Sequence, residues 1–351
     1  MTENPNKEFV EYKEEKYFVE NDSLSLYGCD VEKISDIERL DKLKDLKKLD
    51  LRNNEIMEIE GLETLQNLEV LDLSGNKITE IKGLEGLDNL KELNLSFNNI
   101  SKISNLDRLK NLKILILGPN YIKEIEGLDN LINLERLMLG DSFGDGVGND
   151  ITEIKGLGKL KSLKRLDLSC NKISEIKGLN NLENLKFLNL SGNKISEING
   201  LNNLENLEFL NLNENKILEI NGLKSLKNLK ELILYQNSIT NIKGLENLVN
   251  LKTLILDSNN ISEFKGLENL GKLELLEIMD NNLNNIRGIE NLKFLKYLRL
   301  DGNKITEIPD LKSLILLKEI SLKDNPISEK ELDKIGGRRS GKTVFIFTPY
   351  Y

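Results

Sequence analysis

The chain has no histidine in 351 residues. That removes imidazole general acid–base catalysis, Ser–His and Cys–His dyads, and His-ligated zinc. It has only two cysteines, Cys29 and Cys170. They lie six repeats apart in the pattern set out below, too far for a disulfide. Two unpaired thiols predict a reducing compartment, and the cytoplasm is the expected location. No run approaches the roughly 18 apolar residues of a membrane span; the densest is Leu314 to Leu317. Met1 to Lys16 carry no apolar core of signal-peptide length. Basic charge is also in deficit. A net charge of -9 argues against nucleic acid or an anionic membrane as principal partner and suits solubility.

What is present is a repeat. Leu-x-x-Leu-x-Leu-x-x-Asn-x-Ile-x-x-Ile recurs every 22 residues, as in Leu68, Leu71, Leu73, Asn76, Ile78 and Ile81. Thirteen asparagines keep the register, from Asn54, Asn76 and Asn98 through Asn325. A fixed period of this length predicts stacked coils, each contacting only its neighbours. Period two in Leu-x-Leu sends the leucines inward and the intervening residues outward. Apolar residues at every third position in Ile78 to Leu87 suit short 3₁₀ turns on the return side. Burying some seven aliphatic side chains per coil, each worth about 1.5–3 kcal/mol gross, is the main stabilising term. The asparagines have a structural explanation: each side chain can satisfy backbone groups the turn leaves unpaired.

The pattern resembles the 22-residue class of leucine-rich repeat, seen in the regulatory leucine-rich-repeat subunit of protein phosphatase 1 and in internalin repeat domains. The resemblance runs from about Leu24 to Asn325. It implies an α/β repeat solenoid, a right-handed superhelix of fourteen coils with a parallel β-sheet on its concave face and 3₁₀ or turn segments on the convex face. Internalins are exported and wall-attached, which Met1 to Lys16 do not suggest. The expected organisation is an N-terminal cap over 1–23, repeats over 24–327 with an inserted loop at 140–149, and a C-terminal cap over 328–351. Lys16–Glu20 and Ser23–Leu26 around Asn21-Asp22 suggest a capping hairpin, with Phe18 and Val19 as lids. Ser328-x-x-Glu331 is a capping-box signature opening a short helix, with Leu332 and Ile335 inward, and Val344 to Phe347 suggest a last strand.

Two motifs invite a chemical reading. Gly336 to Thr343 matches the phosphate-loop pattern G-x-x-x-x-G-K-[ST]. Its flanks are reversed, with a helix before it and a strand after, so it reads as a connector, and no cofactor is expected. Between Leu139 and Asn149 the repeat carries seven extra residues, with Phe143 at the tip of the loop. Asp141, Asp145 and Asp150 there offer hard oxygen ligands for calcium, but in a lone, incomplete motif. A loop that is plain or contacts a partner is the preferred reading, and no metal site is assigned.

No catalytic constellation emerges. The expected function is a non-catalytic protein–protein interaction scaffold, a monomer that binds its partner in the concave face. The resemblance leaves open a regulatory role on a phosphatase or small GTPase, and the loop leaves open calcium control. The residues six, four and two before each asparagine face outward. Among them Phe187, Phe209, Ile233, Tyr235, Ile255, Leu275, Met279 and Tyr297 crowd the C-terminal half, with a smaller group at Ile114, Ile116 and Met138. Apolar patches of this kind mark interaction sites. The eight C-terminal residues are therefore the expected seat of a protein partner.

Overall fold

In a computed structural model, residues 7–141 and 146–345 are described. Phe143, Asp145 and Phe347 lie outside them. The chain divides into two compact units, residues 1–172 and 173–351.

The first unit opens with an antiparallel hairpin, β1 (Phe9–Tyr12) and β2 (Glu15–Phe18). Seven parallel strands follow, one per coil: β3 (Ser23–Ser25), β4 (Lys48–Asp50), β5 (Val70–Asp72), β6 (Glu92–Asn94), β7 (Ile114–Ile116), β8 (Arg136–Met138) and β9 (Arg165–Asp167). The second unit repeats the plan with β10 (Phe187–Asn189), β11 (Phe209–Asn211), β12 (Glu231–Ile233), β13 (Thr253–Ile255), β14 (Leu275–Glu277), β15 (Tyr297–Arg299) and β16 (Glu319–Ser321). Each unit is thus a parallel-strand solenoid. Register is exact to the repeat: Leu210, Leu232, Leu254, Leu276 and Leu298 pair in sequence and are fully buried. A one-residue slip would turn every one of these leucines to solvent, which fixes the pairing.

The asparagines hold successive coils together. Asn259 Nδ2 donates to the carbonyls of Leu234, Leu256 and Asp257 at 3.0–3.1 Å, while its Oδ1 accepts from the Ile239 amide at 2.9 Å. Asn98 does the same in the first unit, reaching Leu73, Leu95 and Ser96 and accepting from Ile78. One side chain so ties backbone groups of two coils together and supplies the acceptor for an amide, Ile239 or Ile78, that would otherwise be buried unpaired.

On the return side most segments are successive single turns, such as Leu65 N to Leu62 O and Leu68 N to Leu65 O, each 3.0 Å. 3₁₀ helix as such occurs at Ile34–Asp36, Leu40–Lys42 and Ile289–Asn291. Glycine is required at the corner before these turns. Gly266 has φ 93°, and a Cβ there would stand 1.6 Å from the Ile242 carbonyl oxygen.

The ends differ in detail from the sequence expectation. Asn21 and Asp22 do form a left-handed turn, with Glu20 and Ser23 exchanging backbone bonds of 2.8 and 3.0 Å, but the pairing stops at that bridge. The hairpin proper lies upstream. Val10 and Tyr12 are its buried residues; Phe18 and Val19 are only half-buried. At the other end Ser328 Oγ accepts from the Glu331 amide at 3.3 Å and opens helix α1 (Glu329–Asp333), which buries Leu332 and leaves Ile335 half-buried. β17 (Arg338–Ser340) and β18 (Thr343–Phe345) then form a hairpin, and β18 pairs antiparallel with β16, covering that sheet edge.

Candidate functional site

Strand alternation in the second unit puts three side chains per coil on the exposed face of the sheet. All eight residues expected there are on it. Phe187 and Phe209 are register partners, and their rings stack with centroids 4.4 Å apart and planes 5° from parallel. Ile233 and Ile255 pair on β12 and β13, and Leu275 and Tyr297 pair on β14 and β15. Tyr235 and Met279 stand at the same repeat position in coils on either side of Asp257. The phenylalanines, isoleucines, Leu275 and Met279 are half-buried. Tyr235 and Tyr297 are each 37% exposed, the most open of the group.

The apolar residues do not form one unbroken strip. Glu231 pairs with Phe209 on one side and Thr253 on the other, and Ile255 is followed in register by Glu277. Glu277 is 8% exposed and holds the Arg299 guanidinium at 2.8 Å. Asp257 is 6% exposed and accepts the Met279 amide at 2.6 Å. Burial pushes its carboxyl up to about 7; the Met279 hydrogen bond opposes this, Glu277 and Asp280 add to it, and Arg299 opposes it. Asp301 accepts from Ser321 Oγ and the Lys323 amide at 2.6 and 2.7 Å. The face is therefore apolar side chains interleaved with carboxylates. Reading outward positions for apolar content alone overlooks Glu231, Glu277 and Arg299, although the same spacing rule points to them.

In the first unit Ile114, Ile116 and Met138 are half-buried on the sheet face of β7 and β8. The inserted segment leaves the last of these coils. Asp141 Oδ2 accepts the Gly146 amide at 2.6 Å and faces Cys170 Sγ at 4.0 Å, while Asp150 pairs with Lys172 at 2.5 Å. The described acids of the insertion are turned to protein partners. Among the described residues, no group of three or more His, Cys, Asp or Glu is placed to hold a metal ion. Neither cysteine is in a disulfide.

The phosphate-loop pattern folds as the β17–β18 hairpin. Gly341 takes φ 59° at its turn, and Lys342 Nζ donates to the Asn325 carbonyl. The lysine is engaged by the last repeat's asparagine backbone. No helix among the described residues is long and apolar enough to cross a membrane.

The model of the family described as leucine rich repeats (2 copies) matches residues 66–108, 147–181, 183–225 and 227–269. No curated protein matches the chain. Solved structures do. An internalin from Listeria monocytogenes is 29% identical, with 86% of this chain and 88% of that one covered at a TM-score of 0.76. A leucine-rich-repeat protein of Leptospira interrogans is 31% identical, with 84% and 83% covered and a TM-score of 0.71. The leucine-rich repeat domain of APL1, at 20% identity, 84% and 78% coverage and a TM-score of 0.70, shows the shared fold alone. With the family model matching four stretches, and a relative above 30% identity covered over most of its length, the chain belongs to the leucine-rich repeat family.

Proposed function

We propose that this protein is a non-catalytic interaction scaffold that seats a protein partner on the sheet face of its second unit. Leucine-rich repeats are protein-interaction domains and generally non-catalytic, which supports the coarse reading. The single observation that carries the finer one is the set of outward side chains from Phe187 to Tyr297, large and apolar on a face the core does not need. Aromatic and methionine side chains are what interface centres enrich, and a few of them carry most of the binding energy. The scaffold acts as a monomer in a reducing compartment, which suits two cysteines outside any disulfide.

Affinity capture from a lysate, comparing wild type with Tyr235→Ser/Tyr297→Ser, tests this. A partner retained by wild type is lost from the double variant and kept by Phe294→Ser, which alters an exposed residue on the turn side. Loss on Phe294→Ser with retention by the double variant places the interface elsewhere.

A further inference from the structure

The sheet face of the second unit carries a charge imbalance as well as apolar side chains. On β12 to β15 and the residues just after them stand four carboxylates, Glu231, Asp257, Glu277 and Asp301, against one guanidinium, Arg299. Arg299 is already taken by Glu277. Asp301 has two donors from its own chain. Asp257 has one, the Met279 amide, although an ionised carboxylate offers about four acceptor sites. It lies between the Tyr235 and Met279 positions, with Ile255 two residues before it on the same face. This is a buried acid with one protein donor, flanked on the face by the apolar Tyr235, Ile255 and Met279, with Glu277, Asp280 and Arg299 close by.

We propose that the partner segment seated on this face is a cationic, apolar stretch of polypeptide, with a lysine or arginine over Asp257 and its apolar side chains against Tyr235, Ile255 and Met279. The proposal rests on the reading of this face as the interface. The chemistry matches at both levels. A lysine or arginine stem is apolar and its head is charged, so it can lie along Ile255 and Tyr235 while its donors reach the carboxylate. The tyrosine rings favour a cation at their faces. An acidic partner, nucleic acid included, meets like charge at Glu231 and Asp257. Glu277, Asp280 and Arg299 surround Asp257, and two of the three oppose its ionisation. A partner cation reverses that balance, so binding draws a proton off Asp257 and tightens as pH rises through neutrality.

The test uses fluorescence anisotropy on the full chain with two probes, a short peptide alternating leucine and lysine and its leucine–glutamate counterpart. The lysine peptide binds tighter by about tenfold or more, and weakens about tenfold in Asp257→Asn, the expected scale for a close interfacial charge. Its affinity rises between about pH 6 and about pH 8 in wild type and not in Asp257→Asn. Glu231→Gln, on an exposed strand position whose change cannot unfold the core, also weakens it, while Glu263→Gln on the turn side does not. Equal binding of both peptides, or equal losses in Glu263→Gln and Asp257→Asn, overturns the proposal. Should both peptides bind equally and both be lost in Tyr235→Ser/Tyr297→Ser, the face stands and only the cation fails. Should binding be indifferent to the tyrosines, the face fails with it.

Discussion

Phe187 and Phe209 lie face to face on neighbouring strands, their ring centroids 4.4 Å apart. Each ring already has an apolar partner within the protein, so part of what a binding partner could gain there is spent on the fold. Offset aromatic pairs are worth about 0.5–1.5 kcal/mol beyond area burial. Phe209→Ser is therefore expected to cost about 1 kcal/mol or more of stability. A double-mutant cycle with Phe187→Leu and Phe209→Leu in urea should show a coupling of about 1 kcal/mol. Additive losses would mean the rings do not support each other. The open tyrosines, Tyr235 and Tyr297, are the better binding anchors.

Asn259→Ala removes three donated hydrogen bonds and leaves the Ile239 amide without its acceptor. Each of the three carbonyls keeps a second donor, but the Ile239 amide is left buried and unpaired at about 1–3 kcal/mol. With the three donated bonds also lost, about 3 kcal/mol in urea denaturation is expected. Asn228→Ala removes one exposed bond to the Glu205 carbonyl and should cost under about 1 kcal/mol. Equal losses would contradict the structural role of the register asparagines.

Two glycines at the same repeat corner separate backbone strain from contact. Gly288 has φ 97° with open space around its missing Cβ, and Gly266 has φ 93° with a carbonyl oxygen 1.6 Å from that point. Gly288→Ala should cost about 1–2 kcal/mol for the left-handed backbone alone. Gly266→Ala must also push the backbone of the preceding coil and should cost well beyond that. Thermal melts of the two variants compare them directly.

Asp257 sets a pH dependence whose sign follows from its environment. Burial holds its carboxyl at about 7 in the folded chain, above its ordinary 3.8. The folded state therefore binds more protons through that window, and this group's contribution to stability falls as pH rises across it. Asp257→Asn removes the ionisation, so the variant should gain melting temperature relative to wild type at about pH 8 and lose that advantage near pH 4. A constant difference across the range would show that Asp257 titrates alike in the folded and unfolded chain.

Lys342 is an anchor in the terminal hairpin. Its bond to the Asn325 carbonyl predicts that Lys342→Ala costs about 0.5–1.5 kcal/mol, whereas the sequence pattern alone gives the lysine no part in stability. Magnesium ATP should leave the melting temperature of both proteins unchanged, since a ligand that binds the folded state raises it.

The coils, their register and the outward positions were legible because a period of 22 residues repeats the same physical instruction many times. Leu-x-Leu fixes a face, and the asparagine fixes where the strand ends. The caps occur once each and were less legible. The turn Lys13-Glu14 has both residues at positive φ without a glycine or asparagine to announce it, so the hairpin from Phe9 to Phe18 was invisible beside the more conventional Asn21-Asp22. Glu214, Gln236, Ser258 and Asp280, each just before a register asparagine, are likewise left-handed. The asparagine network behind them outweighs a local preference that the residue type alone would not suggest. At the site, hydropathy singled out the apolar side chains and passed over Glu231 and Glu277, because charge between strands matters only once the strands are paired.

Site-specific photocrosslinking tests the central claim most directly. A benzoylphenylalanine placed at Tyr297, and in a separate variant at Tyr235, should crosslink to the partner recovered by affinity capture, while the same group at Phe294 on the turn side should not. Crosslinks from Phe294 with none from either tyrosine position would contradict the account.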